Sequence, residues 1–253
     1  MPLASHADPW EEVLSLDFNS KRTIADSVAE LIDAAMQESQ DAPRAYLGAS
    51  SIGEPCARRL QYNFIGAKAD EGSGFSGRTK RIFHRGHQGE EWMAQWLRLA
   101  GFGLRTAKDG KQFGFEDCGG RFKGHIDGVF TSGPSGFKYP ALWENKVLGA
   151  KGFASLAKHG LAKAYPGYAA QVATYQAYLQ LADNPAIFTA LNADTMDIHT
   201  ELVPFNAALA QESADKAARI LAATDHGETL PRASDDPDGF VCKWCSYKGV
   251  CWQ

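Results

Sequence analysis

Between residues 102 and 148 the chain breaks into short segments, LRTA, KQFGFED, RFKGHIDGVF and ALWENKVL, separated by DG, GG and SGPSG. Short runs rich in aromatic and β-branched residues and bounded by Gly, Pro and Asp read as strands joined by turns. This block limits the fold most, because helical periodicity lies on both sides of it. Ile24, Val28, Leu31, Ile32, Ala35 and Met36 recur at helical spacing over 22–37, and QESQDAPRA ends that pattern. SSIGEPCARRLQYNFIG then reads as a helix starting near Ser50 or Ser51, ADEGSGFSGR as a Gly/Ser loop, and 78–99 as a long helix ending at Gly101. Downstream, KGFASLAKHG and PGYAAQVATYQAYLQLA are helical in pattern, AIFTALNA and DIHTELVPF strand-like, and a last helix covers about 206–223. Residues 1–20 carry only weak periodicity. The expected organisation is a segment over 1–47 with one amphipathic helix, then a single α/β domain over 48–253 with a mixed sheet.

With 253 residues, 44% hydrophobic and 22% charged, the chain has the composition of an ordinary globular protein. No apolar run approaches the ~20 residues that span a bilayer. The start, MPLASHADPWEEVL, lacks the basic flank and apolar stretch of a secretory signal. A cytoplasmic location with no membrane association is therefore expected. The net charge of −4 argues against a broadly basic DNA-coating protein. It leaves room for an enzyme that grips phosphate locally.

Three stretches carry candidate chemistry. Read as one strand, RFKGHIDGVF puts Lys123, His125 and Asp127 on one face and Phe122, Ile126 and Phe130 on the other. In ALWENKVL, Leu142, Glu144, Lys146 and Leu148 share a face, with Trp143, Asn145 and Val147 opposite. An Asp and a Glu at one sheet end offer hard oxygen ligands to a divalent ion. A lysine two residues beyond the Glu points the same way, where it can orient a water or meet developing phosphate charge. Lewis acid, activated water and cation together suit phosphodiester hydrolysis. In FHRGHQGEEWMAQWL, His87 and Glu90 fall on a helical stripe with Phe83, Ala94 and Leu97, and are natural further ligands. Glu91 competes with Glu90, and His84 is a weaker option. In YPGYAAQVATYQAYL, Gln171 and Tyr175 stack on one helical face and can hydrogen-bond a nucleotide or the surroundings of the lysine. Taken singly, each of these residues has an ordinary structural explanation.

The chain ends CKWCSYKGVCWQ, three thiols within ten positions. Five cysteines in a reducing compartment suggest metal ligands or free thiols rather than disulfides. Three thiols are an incomplete set, since tetrahedral zinc and iron–sulfur clusters normally take four protein ligands.

In order, GHxxE at 86–90, GHIDG around Asp127, ENK at 144–146 and QxxxY at 171–175 resemble the RecB-type branch of the PD-(D/E)xK nuclease superfamily. The resemblance implies a restriction-endonuclease-like core, a central mixed sheet flanked by helices. It implies that Asp127 and Glu144 bind Mg or Mn, with His87, Glu90 and the Val147 carbonyl as further ligands. Lys146 would assist the attacking water, and Gln171 and Tyr175 belong to the helix that contacts DNA. This sequence offers both a His and a Glu around the first motif, which leaves one metal or two open. A subgroup containing the AddB nuclease subunit and the CRISPR-associated and phage-encoded iron–sulfur exonucleases carries one cysteine ahead of the core and CxxCx5C behind it. Here Cys56 precedes the core, and Cys242, Cys245 and Cys251 follow with that spacing. The resemblance thus implies a 4Fe–4S cluster tying the N-terminal side of the core to the tail. An all-thiolate quartet suits such a cube better than zinc, which generally uses two short knuckles. Trp244 and Trp252 flank the ligands and can shield them, and Cys118 stays a plain thiol.

The function expected is a Mg- or Mn-dependent DNA exonuclease acting on single strands or ends, in recombination, repair or CRISPR-type processing, within a bacterial or phage-infected cell. Arg58, Arg59, Arg78, Lys80, Arg81 and Lys151 are candidate phosphate contacts. Partner proteins of those pathways and a homo-oligomer are compatible with it. The alternatives are a non-catalytic DNA-binding recombination module, or an iron–sulfur or zinc redox regulator on the same scaffold.

Overall fold

The computed structural model describes residues 24–39 and 44–253. The reading of residues 1–20, and the 40–43 part of the break after the first helix, lie outside the described residues. The chain forms two compact units, Met1–Asp41 with Phe75–Ile82, and Ala42–Gly74 with Phe83–Gln253.

In the first unit, helix α1 (Ile24–Glu38) is amphipathic as its spacing requires. Its apolar positions Ile24, Val28, Leu31 and Ile32 are nevertheless exposed. Polar bonds join it to the residues beyond Phe75. Arg81 pairs with Asp33, and Lys80 donates to the Gln37 carbonyl at 3.2 Å and to the Ser39 carbonyl.

The second unit begins with β1 (Leu47–Gly48), a 3-10 turn over Ala49–Ser51, and α2 (Ala57–Phe64). The helix expected from Ser50 or Ser51 thus starts later. Pro55 disfavours helical backbone before it, and Cys56 stands extended at the N-cap position, φ −96° and ψ 102°. Helix α3 (Gly77–Leu99) ends where Gly101 takes a φ of +89°, a left-handed stop glycine accepts readily. Then come β2 (Gly103–Arg105), β3 (Ala107–Lys108), β4 (Lys111–Gln112), β5 (Gly114–Asp117), β6 (Phe122–His125), β7 (Gly128–Ser132) and β8 (Ala141–Leu148). Helices α4 (Ala150–His159), α5 (Leu161–Ala164) and α6 (Pro166–Tyr178) cross over to β9 (Ala186–Asn192). β10 (Ile198–Val203), α7 (Ala207–Asp225) and α8 (Lys248–Cys251) follow, and Asn206 caps α7 by accepting the Leu209 N–H at 3.0 Å.

Among the described residues the expected mixed sheet is the five-stranded one, ordered β10-β9-β8-β7-β2, and a three-stranded sheet β1-β6-β5 and the β3-β4 ribbon accompany it. Only the β8–β9 pairing in the large sheet is parallel, as its helical crossover demands. The stretch RFKGHIDGVF is therefore not one strand. β6 pairs with β5, β7 pairs with β8, and Ile126–Asp127 is where the chain passes between sheets. Phe122 and Ile126 accordingly pack into one core, while Phe130 packs into another.

Those two cores lie on opposite faces of the large sheet. On one, Leu142, Phe188 and Ala190 meet Val172 and Tyr175 of α6 and Ala217 and Ile220 of α7. On the other, Trp143, Ile187 and Leu191 meet Met93 and Ala94 of α3. β9 is buried at every residue because both of its faces are covered. Helix α6 is buried all round over Ala169–Gln176, so it shows no amphipathic stripe. Trp143 donates its indole N–H to Thr189 Oγ1 at 2.9 Å, which satisfies the polar edge of a fully buried ring.

Candidate active site and cysteine cavity

Asp127 sits at the seam between the sheets, and its Oδ2 accepts the backbone N–H of Asn145 on β8 at 2.7 Å. That bond brings it beside Glu144, which is fully buried. Glu144 Oε1 accepts from Gln171 Nε2 at 2.7 Å and from Lys146 Nζ. Gln171 Nε2 also donates to Tyr175 Oη at 3.2 Å, so the expected stacking on α6 sets one amide as donor to both the phenol oxygen and the carboxylate. Glu144 Oε2 is buried with no hydrogen-bond partner. An orphaned buried carboxylate oxygen is costly unless something outside the chain occupies it.

Glu90 reaches the same space from α3. Burial, reinforced by repulsion from Asp127 and opposed by Lys146, pushes its carboxyl up to about 7. Burial and then Asp127 push Glu144 up to about 8, against the pull of Lys146. Asp127 is raised as well, by burial, although Lys146, the Asn145 N–H and His87 oppose the rise. Lys146 remains an ammonium: burial works against its charge, but Glu144 and Asp127 outweigh it. Three crowded acids thus face a single lysine, an arrangement a divalent cation would relieve. Among the described residues, no three His, Cys, Asp or Glu side chains converge on one point at metal-ligand distance. His87 is exposed on α3 and acts on Asp127 through space. Glu91 is also exposed and accepts from Gln88 at 3.0 Å, so of the two adjacent glutamates Glu90 faces the site. Val147, whose carbonyl the resemblance points to, is partly buried at the C-terminal end of β8.

Glycines explain how the elements come so close. A side chain at Gly89 would overlap Val147 Cγ2, so α3 lies directly on β8 at that point and delivers Glu90 one residue later. A Cβ at Gly124 would sit 2.5 Å from both Phe115 Cε1 and Tyr175 Cε1, so the absent side chain is what admits Tyr175. Gly86, inside the quoted motif, has open space around it. Sequence reasoning missed Gly89 and Gly124, whose signal is contact across elements. It also missed Tyr168, whose ring centroid is 5.1 Å from Lys146 Nζ. Tyr168 was within reach, being three residues before Gln171 on the same helical face.

Far along the chain from these groups, Cys56, Cys242, Cys245 and Cys251 line one cavity enclosing about 330 Å3, its open mouth included. Cys56 and Cys242 are buried, Cys245 and Cys251 partly so. Arg58, Arg59, Arg232 and Lys248 share the wall. Arg58 Nη1 lies 3.5 Å from Cys251 Sγ, its Nε donates to the Leu230 carbonyl, and Arg59 pairs with Glu54 at 3.2 Å. Burial raises the Cys242 thiol, and the other three cysteines add to the rise. Tyr247 fastens the tail to α2 by donating to Asn63 Oδ1 at 2.7 Å. Trp252 stacks under Arg232 at 4.4 Å, whereas Trp244 is 77% exposed and is met by Lys243 at 5.4 Å. Cys118 is exposed, away from this cavity. Of the remaining candidate phosphate contacts, Arg78 and Lys151 are exposed, whereas Lys80 and Arg81 are engaged with α1.

Among solved structures, the chain is similar to an alkaline exonuclease (LHK-Exo) from Laribacter hongkongensis. The TM-score is 0.52 at 16% identity, covering 78% of this chain and 93% of the exonuclease. LHK-Exo in complex with dAMP gives a TM-score of 0.50 at 15% identity, with the same coverage. At such identities the likeness is one of fold: a mixed sheet flanked by helices, consistent with the restriction-endonuclease-like core. No protein-family model matches the sequence, and no curated protein matches it. Among the described residues, no helix is long and apolar enough to cross a membrane.

Proposed function

We propose that this chain is a divalent-metal-dependent DNA nuclease acting as an exonuclease on single strands or ends. The observation that carries the reading is Glu144 Oε2, a buried carboxylate oxygen without a partner, set beside Asp127 and Glu90 where acids outnumber cations. Hard oxygens crowded in this way fit Mg or Mn. Bound there, the ion would polarise the scissile phosphate and lower the pKa of an attacking water. Asp127 and Glu144 would hold it, with Glu90 the next candidate and His87 close enough to tune Asp127. Gln171 donates to Glu144 Oε1 at 2.7 Å, which would leave Oε2 free to serve as a ligand. Lys146 keeps its charge, so it serves as an orienting cation for water and phosphate rather than as a neutral base. Burial and the neighbouring Glu144 hold the Tyr175 phenol above its usual range, so it stays neutral and supports Gln171. The likeness in fold to an alkaline exonuclease favours this chemistry over a non-catalytic DNA-binding module.

For the cysteine cavity, the group proposed is a 4Fe–4S cluster. A cube takes one thiolate at each iron corner, so its ligands surround a space rather than converging on one ion as for zinc. Arg58 and Arg232 in the wall would offset part of the negative charge of four thiolates, while Arg59 and Lys248 are paired with Glu54 and Asp238. The cluster would act as a clasp, and the chemistry would stay with the carboxylates.

The test is degradation of end-labelled single- and double-stranded DNA with and without Mn, for the native chain and for Asp127→Ala and Lys146→Ala. Metal-dependent release of nucleotides from ends by the native chain alone is the expected result. Undiminished cleavage by both variants would overturn the assignment.

A further inference from the structure

Two residues on β8 face two residues on α6. Glu144 meets Gln171, and Lys146 meets Tyr168, whose ring centroid is 5.1 Å from the ammonium nitrogen. The spacings match: two residues along a strand advance about 6.6 Å, three along a helix about 4.5 Å, and side-chain length covers the difference. Lys146 is thus held at two points, by the Glu144 carboxylate and by an aromatic face. Tyr168 is itself buttressed. Its ring stacks on Tyr165 with centroids 5.1 Å apart and planes at 22°. Tyr165 in turn presses against α4, where a side chain at Gly152 would overlap its hydroxyl.

We infer that Tyr168 is a positioning residue for Lys146, holding the ammonium by a cation–π contact so that it stays aimed at the space in front of Glu144 and Asp127. The electrostatic logic is direct. The face of a phenol ring attracts a cation without neutralising it, and does so best where water is scarce. A carboxylate in that place would compete for the lysine, and an aliphatic side chain would leave its long stem free to turn. The role belongs to the π face, so the hydroxyl is dispensable.

This inference rests on the nuclease reading, and the experiment separates the two. Tyr168→Phe keeps the face, and Tyr168→Leu replaces it with a smaller aliphatic side chain. With the native chain and Mn, Tyr168→Phe should remain within about twofold of native kcat. Tyr168→Leu should lose about tenfold or more in kcat with KM for DNA little changed, the signature of a misaimed group. The second readout needs no activity. In metal-free protein, the acetylation rate of Lys146, followed by peptide mass spectrometry under limiting reagent, should rise several-fold in Tyr168→Leu and not in Tyr168→Phe. Tyr165→Leu, which removes the buttress alone, should shift both readouts in the same direction by less, and it carries the test if Tyr168→Leu does not fold. Native kcat and native acetylation in the leucine variants would overturn the inference. Tyr168→Phe behaving like Tyr168→Leu would overturn it too. A native chain without nuclease activity would remove the nuclease reading, and the acetylation result would still decide whether Tyr168 holds Lys146.

Discussion

The two candidate sites are opposites in charge and in construction. At the carboxylate site, Asp127, Glu144 and Glu90 crowd around a lone lysine, and burial raises all three acids. At the cysteine cavity, four thiols are ringed by Arg58, Arg59, Arg232 and Lys248. The first is under-supplied with positive charge and built from hard oxygens. The second has four basic side chains in its wall, two of them paired with Glu54 and Asp238, and is built from soft sulfur. On the proposed reading, the contrast is between a site that would attract a cation and act through it and one that would accommodate an anionic cluster and hold it. Separate loss of the two properties is the expectation that follows.

The sharpest break is Asp127→Ala, or Lys146→Ala. Either should reduce Mn-dependent DNA cleavage by about three orders of magnitude and leave the visible absorption of anaerobically purified protein unchanged. Loss of colour together with activity would merge the two sites into one. The reciprocal change, Cys251→Ala, should abolish iron and sulfide binding and lower stability by roughly 2–5 kcal/mol, on the scale of a long-loop crosslink. Thermal denaturation beside iron analysis measures it. Activity per folded molecule should survive, and its immediate disappearance would argue that the cavity takes part in the reaction.

A subtler division concerns pH. Because Glu144 in the folded chain is raised from 4.5 to about 8, the native state binds a proton that the unfolded chain has released. Its contribution is therefore fully present below the unfolded value and is lost as pH rises through about 8. Metal-free protein should lose stability across that window, and Glu144→Gln should flatten the slope. Added Mn should also flatten it in the native chain, since the ion replaces the proton. Melting temperatures between pH 5 and 9 at constant ionic strength measure it, and a slope in the variant as steep as the native one would overturn the reading. The smallest effect is expected from Arg232→Gln. Arg232 donates to the Cys251 carbonyl at 2.9 and 2.6 Å and covers Trp252. Its loss should cost about 1–2 kcal/mol, a fall of a few degrees in Tm with nuclease activity unchanged.

What could be read from residues alone followed from local periods. Glu144 and Lys146 share a strand face because side chains alternate, and Gln171 and Tyr175 share a helix face because they are four apart. What escaped was whatever depends on two elements at once. The apolar alternation of Phe122, Ile126 and Phe130 runs without interruption through a point where the chain changes sheets, so no pattern marks the break. Gly89 weakens a helix by its own propensity, and only the strand lying against it gives a reason for it. The association of Cys56 with the tail came from a family resemblance. Spacing could not supply it, because nearly the whole core intervenes. The exposed apolar face of α1 shows the converse: periodicity located the helix but not what, if anything, covers it.

The parallel register of β8 with β9 has a consequence for how the molecule assembles. A parallel pair cannot close as a hairpin; the intervening α4, α5 and α6 must first return the chain to the end of the sheet where β8 began. The helix that grips Glu144 is therefore a toll gate on the folding route, and the price of passing it is loop-closure entropy. Substitutions in its buried face should slow refolding as well as blunt the site. A chain selected for how α6 holds a carboxylate is in the same stroke selected for how quickly its central ladder can form.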